Sequence, residues 1–287
     1  MDKKISIIIV TYNSEKVIQE CLESIQKFND IDKGLEIIIV DNSPIFSINS
    51  FVSSLILDLD IQLIHNPENG GFGQGNNIGV KASSGELLFI LNADTILTEP
   101  IFLYMIEEFK NPALTAAGFK LVGRNGIVND SFALFPEYNY IYFFMPTKLL
   151  YFLVLKLGML SKFIFPWGAD FIVRKKGFIN AGMFDEKIFL CNEEPDLIKR
   201  LKVNKVKIFN KSIIHLEGHT TEISNVRFNE WLISTHYYFD KYNLDFSKFL
   251  KIEIKLNLLK IRIRRLLSLE VKHLVSYLKM LKNETFL

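Results

Sequence analysis

Cysteine is scarce in this 287-residue chain, with only Cys21 and Cys191. Two such residues make neither a disulfide framework nor a zinc-ligand spacing, so a reducing setting is expected. The N-terminal stretch "MDKKISIIIVTYNSEK" lacks the long apolar core of a signal peptide, and the expected location is cytoplasmic. Net charge is nearly absent as well: 34 Lys and Arg against 32 Asp and Glu leave +2, too little for a nucleic-acid groove. No internal repeat or low-complexity linker is found. What remains is a globular chain, 49% hydrophobic and long enough for one large domain with an appendage.

Apolar runs rich in β-branched residues are what the sequence does have. "ISIIIV" at 5–10 is followed by "TYNSEKVIQECLESIQKF", where Val17, Ile18, Cys21, Leu22 and Ile25 recur at helical spacing behind Ser14 as a candidate N-cap. "LEIIIVDNSP", the amphipathic "INSFVSSLILDL", "IQLIHNPENGG", "GQGNNIGVKASSG" and "ELLFILNADT" continue the alternation. Continuous apolar strands joined by helical crossovers predict an α/β fold, Rossmann-like, with a mainly parallel sheet and helices on both faces.

Ligands of such sheets bind outside the carboxyl ends of the strands. Those ends carry Thr11, Tyr12 and Asn13, then Asp41 and Asn42, then His65 and Asn66, then Asn92 and Asp94. Each alone reads as a cap or turn residue. Two carboxylates converging on one edge read as a site, because packing does not require charge there. Asp94 at the end of a rigid strand suits a hard cation such as Mg²⁺ or Mn²⁺. The glycine-rich "NGGFGQGNNIG" raises a rival, a dinucleotide-binding loop, but Asn76 stands where the third glycine is needed, and a nicotinamide-dependent oxidoreductase is disfavoured. A mobile turn is the other reading of these glycines.

Four segments in order, "ISIIIVTYNSEKVIQECLESI", "IIIVDNSP", "NPENGGFGQGNNIGVKASSGELLFILNADT" and "GADFIVRKKGFINAGMFDEKIFLCNEEPDLIKRL", resemble family 2 glycosyltransferases over roughly residues 4–220. The likeness is strongest to the rhamnosyltransferase-like branch of bacterial surface polysaccharide synthesis. It implies a GT-A fold, a UDP- or dTDP-sugar donor, a glycan or lipid-linked acceptor, Mn²⁺ or Mg²⁺, and inversion at the anomeric carbon. By the same resemblance Thr11, Tyr12, Asn13, Asp41, Asn69, Gly70, Asn77 and Asn92 contact the nucleotide, and Asp94 with His215 holds the metal, His219 being the competitor for that place. Glu194 is the implied general base beside Glu193, since inversion needs a base opposite the leaving group. Trp167, Asp170 and Asp196 fall on the acceptor side. Ala93 replaces the branch's usual proline and Glu194 its usual aspartate, and these departures leave open a sugar-nucleotide- or glycan-binding protein without turnover. Glu193 and Glu194 also read as a solvated helix start.

The expected organisation is a catalytic domain over 1–222, with a nucleotide-binding half at 1–98 and an acceptor-side half at 99–222, then a basic helical extension at 223–287. The apolar, aromatic stretch 138–167 is broken by Pro146, Lys148, Lys156 and Lys162, which disfavours a membrane span and leaves an interfacial hairpin or a buried helical pair. The tail interleaves Leu, Ile and Phe with Lys251, Lys255, Lys260, Arg262, Arg264, Arg265 and Lys272. Such a pattern suits peripheral attachment to an anionic membrane, or a helical pair packed on the core or in a homodimer.

Overall fold

The computed structural model of the chain describes residues 4–128, 131–202, 205–216, 225–266 and 269–284. The elements run β1 (Ile5–Thr11), α1 (Glu15–Lys27), β2 (Leu35–Asp41), α2 (Ser47–Ser54), β3 (Ile61–His65), α3 (Gly71–Ala82), β4 (Leu87–Leu91), β5 (Thr95–Leu97), α4 (Phe102–Glu108) and β6 (Ala116–Val122). They continue with β7 (Phe132–Leu134), α5 (Ile141–Phe144), α6 (Thr147–Tyr151), β8 (Ile164–Pro166), β9 (Asp170–Arg174), α7 (Lys175–Asn180), α8 (Glu193–Arg200), β10 (Val206–His215), α9 (Asn225–Lys241), α10 (Phe246–Leu266) and α11 (Lys272–Glu284).

β1 explains the layering. Ile5, Ile7 and Ile9 point to one face of the sheet, where they pack with Ile18, Leu22, Ile48 and Phe102 from α1, α2 and α4. Ile8 points to the other and joins Val80, Phe178 and Leu197 from α3, α7 and α8. The alternation of side chains along a strand thus turns one unbroken apolar run into two cores. Truncating Ile7 or Ile8 to alanine would cost roughly 2–5 kcal/mol.

The sheet has eight strands in the order β3-β2-β1-β4-β9-β6-β10-β5. β1 pairs in parallel with β2 and β4, β2 with β3, and β6 with β10. β9 runs antiparallel between β4 and β6, and β5 antiparallel along β10. The mainly parallel sheet expected from the sequence is therefore mixed in its second half. The antiparallel insertion has a consequence for the site, because it delivers the start of β9 to the carboxyl end of β4.

Two local expectations change. Ser14 does precede α1, but its hydroxyl exchanges bonds with the Tyr12 main chain instead of capping the helix. α2 stops at Ser54, short of the apolar stretch that followed it in sequence. The segment 138–167 forms α5, α6 and β8 around a single π-turn, half inserted: Leu150 and Val154 are buried while Phe144 and Phe152 are exposed. No helix among the described residues is long and apolar enough to cross a membrane.

The C-terminal helices build a separate small core from Phe228, Tyr238, Phe239, Phe249, Leu250 and Leu281. α9 is also tied to the larger body. Tyr238 Oη donates to Glu137, Asn192 Nδ2 donates to Thr235 Oγ1, and Lys241 forms ion pairs of 2.6 Å with both Asp185 and Asp196. The proposed boundary near 222 falls at residues outside the described set, as does His219.

Candidate active site

Four strand ends build the rim. At the β1–β2 junction Thr11 Oγ1 donates to Asp41 Oδ1 at 2.8 Å, and the Ser43 hydroxyl donates to the same oxygen at 2.7 Å. Asp41 is fully buried, and its Oδ2 finds no partner among the described residues. Tyr12 stands exposed beside it, and Asn13 takes a left-handed backbone (φ 50°) with its N–H held by Ser43 Oγ. Ser43 also accepts the imidazole of His65 at its carbonyl. Ser43 is a site residue not evident from its type, and its place two residues after the strand-ending Asp41 is the signal that marks it.

The next strand end is organised by amides. Asn66 Nδ2 bonds Asn42 Oδ1 and Gln74 Oε1, Gln74 Oε1 also accepts the Gly70 N–H, and Asn42 Nδ2 donates to the Gly71 carbonyl. Asn69, left-handed at φ 44°, receives the Gly71 N–H on its Oδ1. This network holds the entry to α3. Gly71, Gly73, Gly75 and Gly79 lie inside α3 rather than in a turn, and Gly75 and Gly79 let the helix press on the sheet. A Cβ on Gly79 would sit 2.5 Å from Ile8 Cγ2. Asn77, expected at the nucleotide, is buried and committed elsewhere. Its Nδ2 donates to Phe184 O and Glu186 Oε1, and its Oδ1 accepts the Phe184 N–H.

Beyond β4 the chain gives Asn92, Ala93 and Asp94. Asn92 N–H donates to Ala169 O, which anchors the turn to the start of β9. β5 then pairs with the end of β10, Thr95 opposite His215, and the Leu216 N–H donates to Asp94 O. The result places His215 Nε2 3.4 Å from Asp94 Oδ1, both part-exposed. No cluster of three or more metal-ligating His, Cys, Asp or Glu side chains occurs among the described residues. A carboxylate and an imidazole side by side fit a hard divalent ion that completes its shell with water and substrate oxygens.

The acidic pair arrives from α8. Asn192, left-handed at φ 71°, precedes the helix and turns Glu193 and Glu194 inward. They are not a solvated helix start: Glu193 is 2% and Glu194 8% exposed. Burial pushes the Glu194 carboxyl up to about 7, while its own N–H and that of Gly168 favour the ionised form and limit the rise. Glu193 is held well above the carboxylate range by burial and then by the Glu194 charge, and its Oε1 has no partner among the described residues. Two buried adjacent acids whose carboxyls are both raised are the pattern of an acid–base site. Gly168 sits so close to Glu194 Oε1 and the Phe72 ring that a side chain there has no room. The start of α3, the start of α8 and the segment before β9 therefore meet at one point. From that point Ala169 leads through its bond with Asn92 to Asp94.

Of the acceptor-side candidates, Trp167 is 42% exposed at this junction. Asp170 and Asp196 are fully buried. Asp170 Oδ2 accepts the Phe119 N–H where β6 and β9 part, Oδ1 is unpartnered, and burial raises its pKa well above the ordinary value. Asp196 is saturated by Arg200 at 2.7 Å, Lys241 at 2.6 Å and the Tyr242 hydroxyl at 2.9 Å. Neither is brought to an open surface.

The profile of glycosyl transferase family 2 matches residues 6–165, more than half of the chain. The chain belongs to that family. Glycosyltransferase GlyG of Streptococcus pneumoniae is 29% identical over 109 residues, which cover 38% of this chain and 36% of GlyG. The chain thus spans about a third of the length of the first curated relatives it matches. Among solved structures, mannosyltransferase PcManGT of Pyrobaculum calidifontis in complex with GDP-Man and Mn²⁺ superposes with a TM-score of 0.61 at 16% identity, over 90% of this chain and 71% of that one. TarS 1–349 of S. aureus in complex with UDP-GlcNAc gives 0.55 at 18% identity, over 88% and 71%. These two likenesses establish the GT-A fold.

Proposed function

We propose that this glycosyltransferase family 2 member moves a sugar from a nucleoside-diphosphate donor, UDP- or dTDP-linked, to a hydroxyl of a growing bacterial surface glycan on a lipid carrier, with inversion. The observation that carries the reading is the buried Glu194, whose carboxyl titrates at about 7, set one short main-chain path from the Asp94–His215 pair. A base with that pKa is part-ionised at neutral pH and can take the acceptor proton as the new glycosidic bond forms and the bond to the donor phosphate breaks. Glu193, its carboxyl raised by burial and then by the Glu194 charge, stands beside the proposed base. The unpartnered Asp41 Oδ2 is an acceptor waiting for a donor such as the N–H of a base or a ribose hydroxyl. Tyr12, Asn13, Asn69, Gly70 and Asn92 would contact the rest of the nucleotide. Trp167 offers an exposed aromatic face for a sugar ring, whereas Asp196 and Asn77 are assigned to the scaffold.

Asp94 and His215 would hold Mn²⁺ or Mg²⁺, which as a Lewis acid stabilises the charge of the leaving diphosphate. The catalytic body covers 1–222 and the helical extension 223–287. A lipid-linked acceptor would bring the enzyme to the inner face of the cell membrane.

A thermal-shift screen of UDP, dTDP, GDP and CMP, each with and without Mn²⁺, tests this on the parent and on Asp94→Ala. Stabilisation by one nucleotide, dependent on the ion and absent in Asp94→Ala, is expected. No response to any nucleotide would overturn the donor assignment and favour a glycan-binding protein without turnover.

A further inference from the structure

The C-terminal helices carry an apolar face that the protein itself does not cover. In α10, Leu250, Asn257 and Ile261 are buried on one side. Leu259, Ile263 and Leu266 follow a 4,3 spacing that places them in one stripe on the roughly opposite side. They are exposed, Leu266 to 85%. Exposed Lys255 and Arg262 lie along the same stripe. Between 246 and 282 the chain has ten Lys and Arg against Glu253 and Glu270, so the rest of the molecule is net acidic. The small charge of the whole chain therefore hides a strongly basic end.

A cleft of about 670 Å³ opens beside this stripe, between the α10–α11 corner and α5. Its walls pair Lys260, Arg264 and His273 with Phe143, Ile263 and Leu274, and Glu270 is the acid in it. Arg264 Nε donates to Glu270 O at 2.8 Å, which ties the end of α10 to the residues before α11. The ring of Phe143 is stacked edge-on against Phe144, which is 73% exposed, so the apolar surface continues from the cleft onto α5. Cations above an apolar floor match an amphiphile with a phosphate head. A second copy of the chain matches poorly, because a two-fold contact through this stripe would oppose Lys255 and Arg262 with their own copies.

We infer that the face formed by α10, the α10–α11 corner and α5 docks on a bilayer rich in anionic lipid, with the lipid phosphate in the cleft of Lys260, Arg264 and His273. This deepens the membrane part of the proposed function. Leu259, Ile263, Leu266 and Phe144 would enter the headgroup boundary, as in other interfacial helices.

The test is sedimentation of the full chain with vesicles of phosphatidylcholine alone and of an equal mixture of phosphatidylcholine and phosphatidylglycerol, without donor or acceptor. Binding to the mixed vesicles only, weakened by salt, is expected. Lys260→Gln with Arg264→Gln should weaken it by about 20-fold, roughly fivefold per cation. Ile263→Ser with Leu266→Ser should weaken it further, and Arg262→Gln with Arg265→Gln provides a second cation pair. Equal binding to both vesicle types, or full binding by both cation-deficient variants, would overturn the inference. So would a parent dimer in solution that Ile263→Ser with Leu266→Ser converts to monomer. The nucleotide thermal shift of these variants should equal the parent's, so a failed vesicle experiment and a failed donor assignment are separate results.

Discussion

The Gly168 N–H donates to the Glu194 carboxylate, and a Cβ added at Gly168 would fall on Glu194 Oε1, so the position tolerates no side chain. A glycine is thus both the partner of the proposed base and the space in which it sits. Gly168→Ala is expected to push the carboxylate aside, since the end of a side chain yields more easily than backbone. Turnover should fall on the order of 100-fold, as for other small misplacements of a reacting group, with nucleotide binding kept. Steady-state rates alongside the nucleotide thermal shift check both halves.

The pH dependence follows from the same carboxyl. With its pKa raised to about 7, the rate should climb about tenfold per pH unit below that value and level off above it. Stability should move the opposite way. The folded pKa lies above the unfolded 4.5, so the contribution of the neutral group is full below about 4.5 and is lost as pH rises through about 7. Glu194→Gln should therefore be inactive yet about 1–3 kcal/mol more stable than the parent at about pH 8, with no such gain at about pH 4. Urea unfolding at the two pH values measures it.

Asp94 precedes β5 and His215 ends β10, and the antiparallel pairing of these two strands brings them together, so removing either should be felt at the donor. Asp94→Asn or His215→Ala is expected to lower turnover by about 100-fold or more, the several kcal/mol that a metal contributes at a leaving group. Raising Mn²⁺ should recover part of the His215→Ala rate but little of the Asp94→Asn rate, because the carboxylate carries the charge. Glu194→Gln should bind nucleotide and Mn²⁺ normally. A Mn²⁺ titration of initial rates, paired with the thermal shift, separates the three variants.

How far the sequence carries is visible residue by residue. Ile5, Ile7, Ile8 and Ile9 announce a buried strand whatever surrounds them, so the first four strands and the polar residues ending them were legible. The direction of "DFIVR" was not, because a five-residue apolar run pairs equally well either way until β4 and β6 take both its edges. The glycines of α3 misled for a related reason. Their poor helix propensity suggests a turn, but contact with Ile8 outweighs it. Glu193 and Glu194 were legible as acids at a helix start, but the left-handed backbone of Cys191 and Asn192 that leads into the helix, and the burial of both acids, were not. Asn77 and Asp196 had the right chemistry for ligands, and only three-dimensional contact reveals partners 107 and 45 positions away, at Phe184 and Lys241.

Asp196 distinguishes scaffold from site most sharply. It is fully buried on α8 and takes Arg200 from its own helix, with Lys241 at the end of α9 and the Tyr242 hydroxyl just after it, so it joins α8 to α9. Asp196→Asn keeps the shape and removes the charge, which leaves the Arg200 charge without its carboxylate and Lys241 with Asp185 alone. A loss of about 3 kcal/mol is expected from breaking a buried pair on one side. The acceptor KM should not change in the molecules that remain folded. A residue that bound the acceptor would do the reverse, raising KM at unchanged stability. Urea unfolding and acceptor saturation curves on one preparation decide between them. A combined Asp196→Asn, Arg200→Met variant should recover part of the lost stability, because the cation left without its carboxylate goes with its partner.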